Sequence, residues 1–344
     1  MHRKNLIAIF LVVFTMMLSS FAFYAYQIIY TPNILVDTED QLFSIPKGST
    51  FSEVRKRLYD GRYLNDAMSF SFLARLKGYD KRIQPGMYLL KQDMTNMEAI
   101  NLLRSGRETP VRLTFSHARL LSQLPKLLTQ NLEIDSADMA TVLLHDTTAT
   151  HYGFQPETFI SMFIPNTYEV YWTSTPKDVL NRMKKEYDRF WTEERLQKAE
   201  NLNMTKVQVA TLASIVKAET NKMDEADRIA GVYINRLQRR IPLQADPTLV
   251  FAIGDFSIRR ILNKDKDFDS PYNTYKNYGL PPGPINMPNI PVLDAVLNYE
   301  EHKYLYFCAK EDFSGYHAFA KTLREHNVNA RKFQRALNKQ RIYR

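Results

Sequence analysis

Between Leu6 and Tyr30 the chain reads LIAIFLVVFTMMLSSFAFYAYQIIY and carries no charged side chain. No other feature restricts the fold so strongly, because about 20 apolar residues in a helix match the hydrocarbon thickness of a bilayer. Arg3 and Lys4 precede the run, and the positive-inside rule then leaves the N-terminus in the cytoplasm. Tyr24, Tyr26 and Tyr30 suit an aromatic belt at the opposite interface. A cleaved signal peptide is the competing reading, with Ser20-Phe21-Ala22 as a passable small-x-small site. The apolar run continues past that site, which favours an uncleaved anchor at 6–30 behind a cytoplasmic 1–5, with all that follows residue 37 outside the cytoplasm.

The remainder has an ordinary globular balance, since the whole chain is 44% hydrophobic and 24% charged, which excludes a disordered polymer. A net charge of +9 suits an acidic partner: nucleic acid, anionic headgroups or a carboxylate-bearing polymer. The basic clusters RMKKEYDR and NRLQRR are mixed with acids and polar residues and read as solvated helix faces, so nucleic acid is not the expected partner. The lone Cys308 excludes an internal disulfide framework.

After a short tether at 31–40, residues 41–108 alternate in the order strand, helix, helix, strand. LFSI is strand-like, Thr50-x-x-Glu53 is a capping box, Asn65 or Asp66 caps a second helix ending at Gly78, and PGMYLL returns as a strand. Thr95-x-x-Glu98 opens a further helix that stops at Gly106. This order resembles a small LysM-type module in pattern more than in letters; a generic α+β domain is the alternative. Residues 109–344 form a larger mixed α+β region, with helices expected around 136–144, 176–191, 205–220 and 224–239. Pro242–Gly254 and Ser270–Asn289 read as long polar loops of high proline density, and loops of that length in a compact domain are usually functional.

One residue within this region is out of place. In TLASIVKAETNK, Glu219 lies about 20° from Leu212, 40° from Ile215 and 60° from Val216 on a helical wheel. A carboxylate on such an apolar face is costly unless it is paired or protonated. Burial there raises its pKa, the property required of a general acid. A frayed last turn that swings Glu219 into solvent is the bland alternative. Asp246 in QADPT is the candidate for electrostatic support, although it also suits a turn cap before Pro247; Glu169 is a second carboxylate that strand alternation could turn outward. Tyr272, Asn273 and Tyr275 offer stacking faces and an amide on a proline-stiffened wall. His302, His317 and His326 match no zinc spacing, so neither metal nor cofactor is expected.

LASIVKAET, VYINRLQRRIPLQADPT, YNTYKNYGLPPGPI and YHAFAKTLREHN, in that order and preceded by FIPNTYEVYW, resemble the MltG (YceG-like) family of endolytic murein transglycosylases. The resemblance spans 163–327, and it implies a single-pass inner-membrane protein that cuts nascent glycan strands and meets peptidoglycan synthases. The family's catalytic glutamate falls on Glu219, with Gln244, Asp246, Tyr272, Asn273, Tyr275, His317 and Asn327 as candidate substrate-binding groups. Departures are Lys217 and Ala218 where the motif usually reads Glu-Lys, Ile160-Ser161 for Glu-Gly, and Asn166 for an aspartate. The implied reaction forms 1,6-anhydro-MurNAc ends. A wall-binding scaffold without catalysis, tethering synthesis enzymes, is the rival reading.

Overall fold

The computed structural model describes residues 3–36, 40–258 and 260–340. Residues 1–2 of the expected N-terminal tail and 37–39 of the expected tether lie outside that set. The apolar run is a single helix, α1 (Arg3–Tyr30), long and apolar enough to cross a membrane by length and composition. The chain divides into two compact units. One comprises Met1–Arg112 with Asn131–Ile134 and Glu169–Ser174; the other comprises Leu113–Gln130, Asp135–Tyr168 and Thr175–Arg344.

In the first unit, β1 (Gln41–Ile45), α2 (Phe51–Asp60), α3 (Ala67–Leu76), β2 (Gly86–Leu90) and α4 (Asn96–Ser105) follow in the order read from the sequence. Local chemistry accounts for the boundaries. Thr50 with Glu53 and Thr95 with Glu98 form capping boxes, Asp66 accepts from the Met68 and Ser69 amides, and Gly106 ends α4 in the left-handed region at φ 67°. β1 and β2 pair antiparallel, Gln41 with Leu90 through Ile45 with Gly86, and place Phe43, Ile45, Tyr88 and Leu90 in one core with Leu58, Phe70 and Leu103.

β3 (Val111–Phe115) pairs with β4 (Asn166–Val170), and α5 (Leu124–Leu128), α6 (Ser136–Leu143) and α7 (Thr148–His151) lie between them in sequence. Glu169 is exposed between buried Tyr168 and Val170, the outward position that strand alternation permits. The second unit continues with α8 (Pro176–Phe190), α9 (Glu193–Asn201), α10 (Lys206–Glu219), α11 (Ala226–Gln238), α12 (Asp246–Ile253) and α13 (Ile290–Leu297). It closes with the antiparallel pair β5 (Tyr306–Ala309) and β6 (His317–Ala320), then α14 (Leu323–Lys339).

α10 is the axis of this unit. Residues 209–216 are buried without interruption, and the helix packs against α9, α11, α12 and α13. A helix buried all round has no amphipathic stripe to steer it, so its rotation is set by its neighbours. Gly231 of α11 is required by close approach: a Cβ there would meet the Glu300 carbonyl oxygen at 2.5 Å. The expected loop at 242–254 is a correction, because 246–253 is the helix α12. Pro247 sits in its first turn, where the missing N–H would have no partner in any case. The expected loop at 270–289 is irregular throughout.

Candidate active site

Thr205 and Gln208 form the capping box that starts α10, a device worth about 1 kcal/mol. From that start, Glu219 is the last helical residue, and Thr220 leaves the helix in extended geometry at φ −141°. The proline-rich segment then fastens to the helix. Ser214 Oγ accepts from the Ile285 amide at 2.9 Å, Asn286 Nδ2 donates to the Ser214 carbonyl at 2.8 Å, and Lys217 Nζ donates to the Met287 carbonyl at 2.7 Å. These ties hold the end of α10 so that Glu219 does not fray into solvent.

Glu219 lies at the floor of a cleft of about 420 Å³, enclosed by protein with part of its surface open to the cleft. The Tyr233 hydroxyl on α11 donates to its Oε1 at 2.6 Å. Burial pushes the Glu219 carboxyl up to about 7 from 4.5. The Tyr233 hydrogen bond and the Arg236 charge pull it down, while the nearby Asp246 carboxylate adds to the rise. Tyr233 is itself held well above its usual range, by burial first and then by Glu219, so it remains a neutral donor.

Arg236, one turn along α11 from Tyr233, is buried and pinned to three carbonyls: Leu305 at 2.7 Å, Leu243 at 2.7 Å and Pro242 at 3.1 Å. It joins α11 to the segment leading into α12 and to β5. Gln244 stands in that segment with a left-handed φ of 52°, its backbone amide donating to the Thr274 carbonyl at 3.0 Å. Ala245 N–H donates to Thr274 Oγ1 at 3.0 Å, and Thr248 and Thr274 hydroxyls meet at 2.8 Å. Asp246 is thereby set at the rim, where its Oδ1 accepts from the Tyr275 hydroxyl.

The opposite wall comes from β5, β6 and α14. Phe307 packs edge-on to both Tyr233, at 5.8 Å, and His317, at 5.3 Å. His317 is fixed by buried Glu225, which accepts from its backbone amide at 3.1 and 3.2 Å and meets Nδ1 at 3.0 Å. His326 stacks on Tyr306 at 5.4 Å, and burial, then Arg236, lowers its pKa. His302 has a different place, with Nε2 against the Arg228 carbonyl at 2.9 Å.

Of the residues singled out from sequence, the cleft brings together Glu219, Gln244, Asp246, Tyr275 and His317. It does not gather Tyr272, Asn273 or Asn327. Asn273 is fully buried, its Nδ2 donating to the Lys266 and Phe268 carbonyls and its Oδ1 accepting from the Tyr275 amide. Its polar atoms brace the loop that presents Tyr275. Tyr272 packs on Phe251 at 4.9 Å, and Asn327 is exposed on α14 beside the cleft-lining His326. Tyr233, Arg236 and His326 were missed as site residues. The signal for the first two was the pair of polar-tipped side chains three apart on the α11 face directed toward α10.

A deeply set carboxyl with a raised pKa, a neutral donor on one oxygen and a second carboxylate at the rim define an α+β protein equipped for acid–base chemistry. The YceG-like family model matches residues 43–332, and the chain belongs to that family. It is 28% identical over 306 residues to the endolytic murein transglycosylase of Bacillus subtilis (strain 168), covering 84% of each chain. It is 27% identical over 347 residues to the endolytic murein transglycosylase of Streptococcus pneumoniae serotype 2 (strain D39), covering 90% of this chain and 61% of that longer protein. A crystal structure of a yceG-like protein from Listeria monocytogenes superposes with a TM-score of 0.53 at 28% identity, over 84% of this chain and 99% of that one.

Proposed function

We propose that this chain is an endolytic lytic transglycosylase, cleaving the MurNAc–GlcNAc bond within peptidoglycan strands and leaving 1,6-anhydro-MurNAc ends. The observation that carries this reading is Glu219, a single carboxyl with its pKa pushed up to about 7 at the floor of a cleft. With Oε1 occupied by the Tyr233 hydroxyl, Oε2 is the oxygen that holds the proton. Glu219 gives that proton to the leaving glycosidic oxygen as the bond to MurNAc C1 breaks. The resulting carboxylate then takes the proton of the C6 hydroxyl while O6 bonds to C1, so the proton account closes without water.

A second acid is unnecessary because the nucleophile is tethered beside the reacting carbon. The environment of Glu219 serves both halves. Burial and Asp246 favour the neutral acid at the start; Tyr233 and Arg236 favour the carboxylate that exists between the two proton transfers. Asp246 also faces the positive charge that develops on the sugar ring. His317, with Nδ1 committed to Glu225, offers Nε2 to a hydroxyl or acetamido group, as does the Gln244 side-chain amide.

In this reading α1 anchors the chain in the membrane, residues 41–108 act as a LysM-like wall-binding module, and 109–344 form the catalytic domain outside the cytoplasm, where it terminates elongating strands beside their synthases. The test is digestion of purified glycan followed by mass spectrometry of the new ends. Anhydro ends are expected, and reducing MurNAc ends alone would replace the lyase by a hydrolase.

A further inference from the structure

A second lobe of about 630 Å³ lies across Asp246 from the Glu219 cleft. Asp246 lines both, and the last turn of α10 is the saddle between them: Ala218 and Thr220 face the second lobe, Glu219 the first. A polymer drawn over Glu219 and past Asp246 therefore enters this space. Its polar character differs from that of the catalytic lobe. Lys217 is half-buried on its wall, and after donating to the Met287 carbonyl its ammonium retains two unspent N–H groups. The Arg119 guanidinium lies over the Phe256 ring at 4.8 Å, and among the described residues it meets no carboxylate or carbonyl acceptor. His117 stands close enough to both cations for them to lower its pKa after burial has done so. Asp246 is the one carboxylate among the described lining residues, and it already accepts from Tyr275.

Asn286 is buried, its Nδ2 given to the Ser214 carbonyl, and its Oδ1 accepts no hydrogen bond. Asn289 Oδ1 is likewise buried without a donor. Both oxygens are sealed from solvent, so a ligand in the lobe does not reach them. Cations with no protein carboxylate against them complement a ligand that brings one, and a murein strand carries carboxylates on its peptides and lactyl groups. A bare sugar would leave the cations unanswered.

We infer that this lobe is a subsite for the peptide arm carried by MurNAc next to the cut, with Arg119 and Lys217 taking a peptide carboxylate. The inference rests on the Glu219 cleft being a murein-cutting site. It makes peptide-bearing strands the preferred substrate. The carboxylate has a second chemical source, the lactyl group itself on a strand stripped of peptide, and the test separates the two.

Equilibrium binding to the full chain carrying Glu219→Gln, in detergent, is measured for three murein oligosaccharides: peptides intact, peptide carboxylates amidated, and peptides removed to leave lactyl carboxylates. The intact form is expected to bind about tenfold more tightly than either other form, as one charge-assisted pair would give. Arg119→Gln with Lys217→Gln should erase that advantage. Arg119→Gln alone, at an exposed position, should reduce it several-fold should the double variant not fold. Equal binding of intact and amidated forms, or an advantage that survives the substitutions, overturns the inference. So does tight binding of the stripped form that the substitutions abolish, which assigns the anion to the lactyl group. Anhydro-end formation by the unsubstituted chain is scored separately, so failure of the lyase reading and failure of the subsite give different results.

Discussion

Two glutamates flank the corner between α10 and α11, and their surroundings are opposed. Glu219 ends α10 with one neutral donor, Tyr233, and its carboxyl is pushed up to about 7. Glu225, six residues later, is only 4% exposed, yet its oxygens receive the His317 amide and ring nitrogen. Burial is common to both. Donors decide what burial does: a carboxylate with several of them works as a structural anchor, and one with a single phenol is kept ready to give up a proton.

The largest effect expected from this contrast is on turnover. Glu219→Gln should lower the rate of anhydro-end formation by about 10³-fold with the fold intact. Glu225→Gln, by comparison, should cost only a few-fold, mainly in KM through loosening of His317. Similar losses in kcat from both substitutions would dissolve the distinction between the two acids.

Stability should respond in the opposite sense to activity. A folded pKa of about 7 against 4.5 unfolded means that the wild-type fold binds the Glu219 proton more tightly than the unfolded chain does. Its stability from this group is intact below the unfolded value and is lost as pH rises through about 7, by about 3 kcal/mol. Glu219→Gln escapes that loss, so denaturation midpoints should favour the variant at about pH 8 and converge with wild type near pH 4. An advantage that is constant with pH would show that Glu219 is not the titrating group.

Two substitutions should then move the alkaline limb of the pH–rate profile in opposite directions. Tyr233→Phe removes the hydrogen bond that lowers the Glu219 pKa, so the limb moves up while kcat falls about tenfold. Asp246→Asn removes the negative charge that raises it, so the limb moves down. The groups facing Glu219 from the packed elements are Tyr233 and Arg236 of α11, Asp246 of α12 and Tyr275 of the following loop. Shifts in one direction from both variants would sink this electrostatic account.

The smallest effect expected is on His317. Glu225→Gln keeps an acceptor for the His317 amide but weakens the hold on Nδ1, so KM should rise a few-fold with the alkaline limb unmoved. A shifted limb would mean that Glu225 acts on Glu219 directly.

Much of this was legible in the letters. Capping boxes at Thr50, Thr95 and Thr205 and the cap at Asp66 place four helix starts through contacts within four residues, which is why the order in 41–108 and the start of α10 could be read. Pro247 misled: a proline within a polar stretch suggests a loop, yet at the first turn of α12 its fixed φ is an advantage. Asn273 misled for a different reason. Its polar atoms are satisfied by carbonyls five and seven residues back, a choice made by the loop's closure and not by residue type.

Periodicity and composition settled the spanning-length helix at the N-terminus and the oddity of a carboxyl near Leu212, Ile215 and Val216, since each depends on neighbours within a few turns of chain. Folding alone decided that Tyr233 donates to that carboxyl, that Arg236 is spent on three carbonyls, that Glu225 holds His317, and that a basic lobe adjoins the cleft. The Tyr233 and His317 pairings join residues 14 and 92 positions apart, and no local rule selects among the many polar groups available at such separations.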